Sequence, residues 1–382
     1  MTDGHLSGSE EPCSLREGFT TGTAATAATV AALWVLLRDE NRTEVNVPLP
    51  LCELERDSRR AERLDVPISF VRTEEDGLLA VGGVIKDGGD DPDATHGAVI
   101  EAHVRLVREP GLDLDGGAGV GRVTLPGLPV AVGEAAINPG PRAQIQAAVS
   151  EVCTQCGYAG GVRVRIVVPE GERRAAHTMN ARLGIVGGIS ILGTRGTVRP
   201  YSNSSWRAAV VQGMDVARAM GCGGVGISTG RRSEKLLMAL YPEWPEQAFV
   251  QAADFVAFSL GEAAEKGFSH IAWGCFFGKL VKLAQGHAYT HAKTAPVDFA
   301  ELSAWCRQGG ASQRVMRAVA GANTARQVLD ILGTEGLVSR VVTQIAGRAH
   351  ERMEHWTRHR AHAGTRISIH VFDFDGTLLA SA

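Results

Sequence analysis

From Gly224 onward the chain alternates short β-prone apolar runs with longer stretches of helical spacing, and this rhythm restricts the fold more than any other feature. Residues 224–228 and 270–273 read as strands, 206–220 and 245–266 as helices, and another helix starts at 279–285. Strands separated by helices need crossover connections, so the pattern predicts βαβ units and a mostly parallel, Rossmann-like sheet. Residues 300–349 then have helical spacing, a final helix covers 350–362, and 367–374 is a β-type run. The first half lacks that alternation. An Ala-rich helix over 24–37 follows Thr20-Thr21-Gly22-Thr23, strand-like runs cover 44–48, 66–73, 78–84 and 98–107, and a helix over 141–153 is closed by Gly157. The expected architecture is an N-terminal α+β domain (15–198) followed by an α/β domain (199–382), with residues 1–14 as a mobile leader and the boundary near Arg199-Pro200-Tyr201.

Charge narrows the range of functions. The 382 residues carry 39 Lys+Arg against 42 Asp+Glu, a formal net charge of −3, without the basic surplus by which nucleic-acid binders release counterions. Residues 24–37 form the longest apolar stretch, short of the ~18 that a membrane span needs. The opening MTDGHLSGSEEP is acidic and polar where a secretion signal is basic and then apolar, so the expected location is the cytoplasm. Seven scattered cysteines, an odd number, fit reduced thiols better than a disulfide framework, and the single Cys153-x-x-Cys156 pair has no second pair with which to hold zinc.

Ligands of open parallel sheets bind beyond the carboxyl ends of strands, where loops and helix starts offer backbone donors. Three glycine-containing loops have that form and suggest one shared crevice: residues 184–196, residues 228–234, and residues 273–279. None matches a P-loop or a clean dinucleotide fingerprint, and each also reads as a tight turn. Adjacent Arg231 and Arg232 suit bidentate binding of carboxylate or phosphate. The run Lys86-Asp87-Gly88-Gly89-Asp90-Asp91-Pro92-Asp93-Ala94-Thr95-His96-Gly97 gathers carboxylates and a histidine that could hold a hard cation, organise a base, or simply build an Asx-turn loop. His287 and His291 lack a third ligand, and the histidines at 350, 355, 359 and 362 read as a solvated helix face. Asp373-Phe374-Asp375-Gly376-Thr377 spells the nucleophile motif of haloacid-dehalogenase-type phosphatases, but only five residues follow it; a strand ending in an Asp-Gly turn is the better account.

Taken together, GFTTGTAATAA, KDGGDDPDATHG, AINPGPR, PEGERRAAHTMNARLGIVGGISILGTRGTVRPYS, STGRRSE and GKLVKLAQG, in this order between about Leu15 and Leu379, resemble the cobalt-precorrin-5B C1-methyltransferase family (CbiD) of anaerobic cobalamin synthesis. The resemblance implies S-adenosylmethionine as methyl donor and a ring-contracted tetrapyrrole as acceptor, with cobalt arriving inside that substrate and no metal held by the protein. It also implies a fold unlike that of the pathway's other tetrapyrrole methylases, and leaves room for a homo-oligomer and transient contact with neighbouring pathway enzymes. On this reading the donor is bound by Gly187, Gly188, Ser190, Gly193, Thr194, Gly196, Ser228, Thr229 and Gly230. The acceptor's carboxylates are bound by Thr20, Thr21, Arg195, Arg199, Arg231, Arg232 and Lys279, and any proton that leaves is taken by Asp90, Asp91, Asp93 or His96. Two departures are Ala292, where the family usually has serine after Thr290-His291, and Cys275-Phe276-Phe277 in place of a smaller segment. Two alternatives stay open: a non-catalytic tetrapyrrole-binding or channelling protein, which needs no donor pocket, and metal-dependent phosphoryl transfer at the Asp-rich loop.

Overall fold

The computed structural model describes residues 15–50, 62–362 and 364–382, so the expected leader lies outside the described residues. The fold is a mixed α/β one that divides into two compact units: residues to Leu125 with Pro129–Ser202, and Pro126–Leu128 with Asn203–Ala382. Arg199 thus belongs to the first unit.

The first unit is built on the helix Thr21–Arg38, in which residues 21–34 are all buried. Small residues at most of these positions, six of them alanine, let the helix lie almost in contact with the sheet backbone. A side chain at Gly82, on the strand Leu79–Ile85, would come within 2.2 Å of the Ala28 carbonyl oxygen. The buried hydroxyls of Thr26 and Thr29 return to the carbonyls of Gly22 and Ala25 at 2.9 and 2.8 Å, so none is left without a partner. By length and composition alone this helix passes as a membrane span; here it is a core helix. Beneath it runs a five-stranded sheet in the order Phe70–Glu74, Leu79–Ile85, Val99–Val107, Gly161–Val167, Gly111–Gly116, antiparallel except for the last pair. The helix Pro139–Cys156 packs beside the first helix and closes on Gly157 in the left-handed region, as the sequence predicts.

The second unit carries a sheet in the order Phe249–Gln251, Gly224–Ser228, His270–Phe276, Arg366–Phe372, Leu378–Ser381; four strands are parallel and the last is antiparallel. Residues 245–266, expected as one helix, divide into a short 3-10 turn, the strand Phe249–Gln251 and the helix Val256–Glu265. Pairing with Gly226–Ser228 outweighs the helical spacing of that stretch, and Ala253 at φ 48° breaks the chain direction before the helix starts. One sheet face is lined by Gly226, Ala272 and Gly274, and Leu237 of the helix Arg231–Leu240 fills the space over the two glycines. The expected helical region 300–362 resolves into Phe299–Gln308, Gln313–Ala320, Ala325–Thr334 and Val338–Thr357; Asp298, Ser312 and Thr324 cap the first three through their side chains.

Candidate functional site

The sequence-predicted residues fall into two groups, one in each unit. In the first, the strand Gly18–Phe19 pairs with Thr197–Val198, which brings the threonine turn, the acidic loop and residues 190–201 together. Thr20 and Thr23 both donate to the Gly196 carbonyl, at 3.0 and 2.8 Å. Thr21 accepts the Leu192 N–H at 2.8 Å, and the Gly22 N–H bonds to the Leu192 carbonyl. These threonines therefore join the start of the first helix to the glycine-rich segment. Within that segment Gly188 is pressed on the backbone of Gly119, at 2.1 Å from an imagined side chain, and Ser190 is buried beside Asn180. Gly187 (φ 85°) and Gly193 (φ 144°) take conformations that favour glycine, Gly196 is buried, and Thr194 and Arg195 are exposed. Arg199 pairs with Glu17 at 3.0 Å on the surface.

In the acidic loop every carboxylate is engaged, two of them by Arg16. Asp87 takes the guanidinium of Arg16, Asp90 accepts the Arg16 N–H at 2.7 Å, and Asp91 accepts the Tyr201 N–H at 2.8 Å. Asp93 pairs with Lys86, which is 1% exposed, and also accepts the N–H and hydroxyl of Thr95 at 2.7 and 2.6 Å. Burial pushes the Asp93 carboxyl up, but the Lys86 ammonium and the Thr95 bonds prevail and hold it below the usual aspartate range. His96 accepts the Gly88 N–H on Nδ1 at 3.0 Å, which ties its ring to the loop's own backbone. Arg174, from the helix Gly171–Ala175, donates to the carbonyls of Ala94 and His96 and fixes the far end of the loop. Among the described residues, one carboxylate oxygen of Asp90 and one of Asp91 have no hydrogen-bond partner.

The second group lies along the carboxyl ends of the parallel strands. The chain leaves Gly224–Ser228 for a strand on one side and then crosses to His270–Phe276 on the other, so the order reverses between the loops at 228–231 and 276–278. At this reversal Ser228 is fully buried, and the Thr229 hydroxyl lies 3.1 Å from that of Ser233. Gly230 differs from its neighbours: its backbone is extended, and a side chain there would meet nothing within 4 Å. Neither packing nor conformation requires glycine at this position. Arg231 is exposed and has no hydrogen-bond or ion-pair partner among the described residues. Arg232 donates to the Phe374 carbonyl at 2.6 Å and lies 5.6 and 5.5 Å from the ring centroids of Phe276 and Phe374. Lys279 pairs with Asp254 and donates to the Thr290 carbonyl at 3.1 Å, while the Thr290 hydroxyl donates to Asp254 at 2.9 Å. Lys279 is thus held within the protein. Burial pushes the Cys275 thiol up to about 12, so that side chain is packing and not a nucleophile.

Of the three expected loops, two meet on this sheet edge, and the third, 184–196, is part of the first unit. Sequence reasoning missed Arg16, Asp254 and Arg326, whose partners are remote in the chain, and named Lys86 and Phe374 only as members of their motifs, without a role.

A family model described as CbiD matches residues 8–200, and one described as CbiD, C-terminal domain, matches 289–382. The chain belongs to the CbiD family. A CbiD relative named cobalt-precorrin-5B C(1)-methyltransferase, from Nitratidesulfovibrio vulgaris, is 57% identical over 388 residues, covering 100% of this chain and 97% of its own. Relatives of the same name are 49% identical in Geobacillus kaustophilus (84% of each chain) and 42% identical in Salinispora arenicola (97% of this chain, 93% of the relative). A crystal structure of a cobalamin biosynthesis protein (cbiD) from Archaeoglobus fulgidus aligns with 29% identity and a TM-score of 0.38, over 70% of this chain and 78% of that one. The two CbiD models leave 201–288 between them, the stretch that holds Gly230, Arg231, Arg232 and Lys279.

Proposed function

We propose that this protein is an S-adenosylmethionine-dependent C-methyltransferase that methylates C1 of cobalt-precorrin-5B to give cobalt-precorrin-6A, in anaerobic cobalamin synthesis in the cytoplasm. The observation that carries this is the 57% identity, over the whole chain, to a relative of that name. The edge of the second unit supports it: an unpaired Arg231, the half-engaged Arg232 and an unfilled space at Gly230 meet at a chain reversal, where α/β sheets take their ligands. We read that sheet as Rossmann-like.

The donor supplies an electrophilic methyl group on sulfur, and transfer needs carbon, methyl and sulfur in line. Positioning therefore provides most of the acceleration, and rigid anchors matter more than acid–base groups. Arg231 and Arg232 bind acetate and propionate groups of the acceptor through charge-assisted hydrogen bonds. Thr20 and Thr21 hold the first helix to the 190–196 segment, and Lys279 fixes Asp254 and Thr290 behind the crevice. For the donor, the open space at Gly230 beside Thr229 is the stronger candidate. In the 187–196 segment the contacts of Gly188, Ser190 and Gly193 are spent on the protein's own chain, which leaves Gly187 and Thr194 facing outward. Should a proton leave the macrocycle, Asp90 and Asp91 are the carboxylates with an oxygen to receive it.

The direct test is anaerobic incubation with cobalt-precorrin-5B and methyl-labelled S-adenosylmethionine, with and without chelator, followed by mass spectrometry. Gain of one methyl group at C1 with chelator present supports the reading; tight acceptor binding with no transfer refutes it. Gly230→Val gives a second test. It is expected to change the melting temperature only by the small loss of a glycine N-cap, because a Cβ there meets nothing within 4 Å, and to lower kcat/KM by about tenfold or more through blocked ligand approach, equivalent to ~1.4 kcal/mol. Unchanged kinetics would move the donor site elsewhere.

A further inference from the structure

Phe276 ends one strand, Phe374 lies in the turn just beyond the end of the adjacent parallel strand, and the two rings stack on each other, with centroids 4.8 Å apart and planes 18° from parallel. Phe374 is 51% exposed, which is unusual for a phenylalanine held in so defined a position. The turn that carries it is fixed without its ring. Asp373 accepts the Phe374 N–H at 2.7 Å and pairs with Arg326 at 2.5 Å, the Asp373 N–H bonds to the Thr377 carbonyl, and Asp375 accepts the Thr377 N–H. The ring is therefore not needed to build the hairpin. Arg232 lies near both rings and donates to the Phe374 carbonyl, and Arg231 is its unpaired neighbour on the same helix start.

We infer that the Phe276–Phe374 pair is a stacking platform for the macrocycle of the acceptor, with Arg231 and Arg232 taking the carboxylates on its rim. This deepens the proposed function and rests on it. Of the two reactants, only the acceptor joins a broad, partly conjugated ring to several carboxylates around its edge, and an aromatic surface bordered by guanidiniums fits that combination. The donor's adenine is flat but carries no anion, and its single carboxylate is at the other end of the molecule, beyond the ribose and the sulfonium. Asp373-Phe374-Asp375-Gly376-Thr377 thus has a role unrelated to the phosphatase motif that it spells: its backbone presents Phe374 and orients Arg232.

The test compares full-length wild type, Phe374→Ala and Phe374→Trp. It measures equilibrium binding of cobalt-precorrin-5B by its visible absorbance under anaerobic conditions, binding of S-adenosylmethionine by calorimetry, and kcat and KM for each reactant. Phe374→Ala is expected to weaken acceptor binding and raise its KM about tenfold or more, within the range of stacking on an aromatic side chain, with donor affinity and kcat unchanged. Phe374→Trp is expected to restore acceptor affinity. Unchanged acceptor affinity in Phe374→Ala overturns the inference, and so does weakened donor binding, which would mark an adenine platform. A lowered melting temperature with no rescue by tryptophan also overturns it, because the pair would then be structural. If wild type binds the acceptor but transfers no methyl group, the proposed function fails while the binding comparison still decides the platform. If wild type does not bind the acceptor, both fail.

Discussion

Asp93→Asn is expected to cost about 3–5 kcal/mol of stability, because it leaves the ammonium of Lys86 buried with no counter-charge. Among the described residues Lys86 has no other side-chain hydrogen bond, and at 1% exposure it cannot reach water without opening the loop. A general base in the same place would give a different result: full stability and lost turnover. Urea unfolding of the variant beside wild type separates the two. A double variant, Lys86→Met with Asp93→Asn, is expected to recover much of the loss, because it removes the charge as well as its partner. The acid dependence follows from the sign of the shift. The folded pKa of Asp93 lies below its unfolded value of 3.8, so the pair's contribution is complete above that value and disappears only as pH falls further, through the folded pKa. Across pH 5 to 8 it is constant. A variant whose melting temperature equals that of wild type would show that Lys86 finds another partner and would return Asp93 to the list of bases.

The second large effect belongs to a buried histidine of the second unit. His370 lies on the sheet face covered by Tyr241; its Nε2 is 2.7 Å from the Tyr241 hydroxyl and its Nδ1 is 2.9 Å from that of Ser381. His270 sits nearby, bonded to Ser368 at 2.9 Å, and Trp244 stacks on Tyr241 at 4.3 Å. Burial, then the neighbouring His270 and Arg366, push His370 down from 6.5 to about 4. A base with a depressed folded pKa contributes stability that is complete above its unfolded pKa. That contribution is lost as pH falls from about 6.5 towards 4, in total about 3 kcal/mol and about 2 kcal/mol by pH 5. His370→Gln keeps polar atoms for the two hydroxyls but cannot take up the proton. Its urea midpoint is expected to change less than that of wild type between pH 7.5 and 5.0; an equal change in both proteins would place the acid sensitivity elsewhere.

How much of this was legible in the sequence depends on the range of the interactions. Local signals gave correct elements: Gly157 as a helix stop, the Ala-rich first helix, and the strand–helix rhythm from Gly224 onward. The strand Phe249–Gln251 was hidden, because three residues beside a helical pattern become a strand only by pairing with Gly226–Ser228. The strand Gly161–Val167 alternates clearly, yet the expected elements leave it out. At the candidate site the sequence pointed to Arg231 and Arg232 from their adjacency and their place after a strand. It could not show that Arg232 is held by Phe374, 142 residues away, that Lys279 is committed to Asp254, or that Asp93 answers a buried lysine. The first two pairs are too far apart in the chain to leave a spacing, and the third is close in sequence but depends on the burial of Lys86, which its own motif does not show.

The three residues Pro126–Leu128 group with the second unit, although the chain around them belongs to the first. Gly127, at φ 105°, lies so close to the backbone of Asp215 and Val216 that any side chain there would come within 2.6 Å of it. A gene fragment that starts at Asn203 would therefore encode a second unit without three of its own residues, leaving the backbone of Asp215 and Val216 uncovered where Gly127 lies.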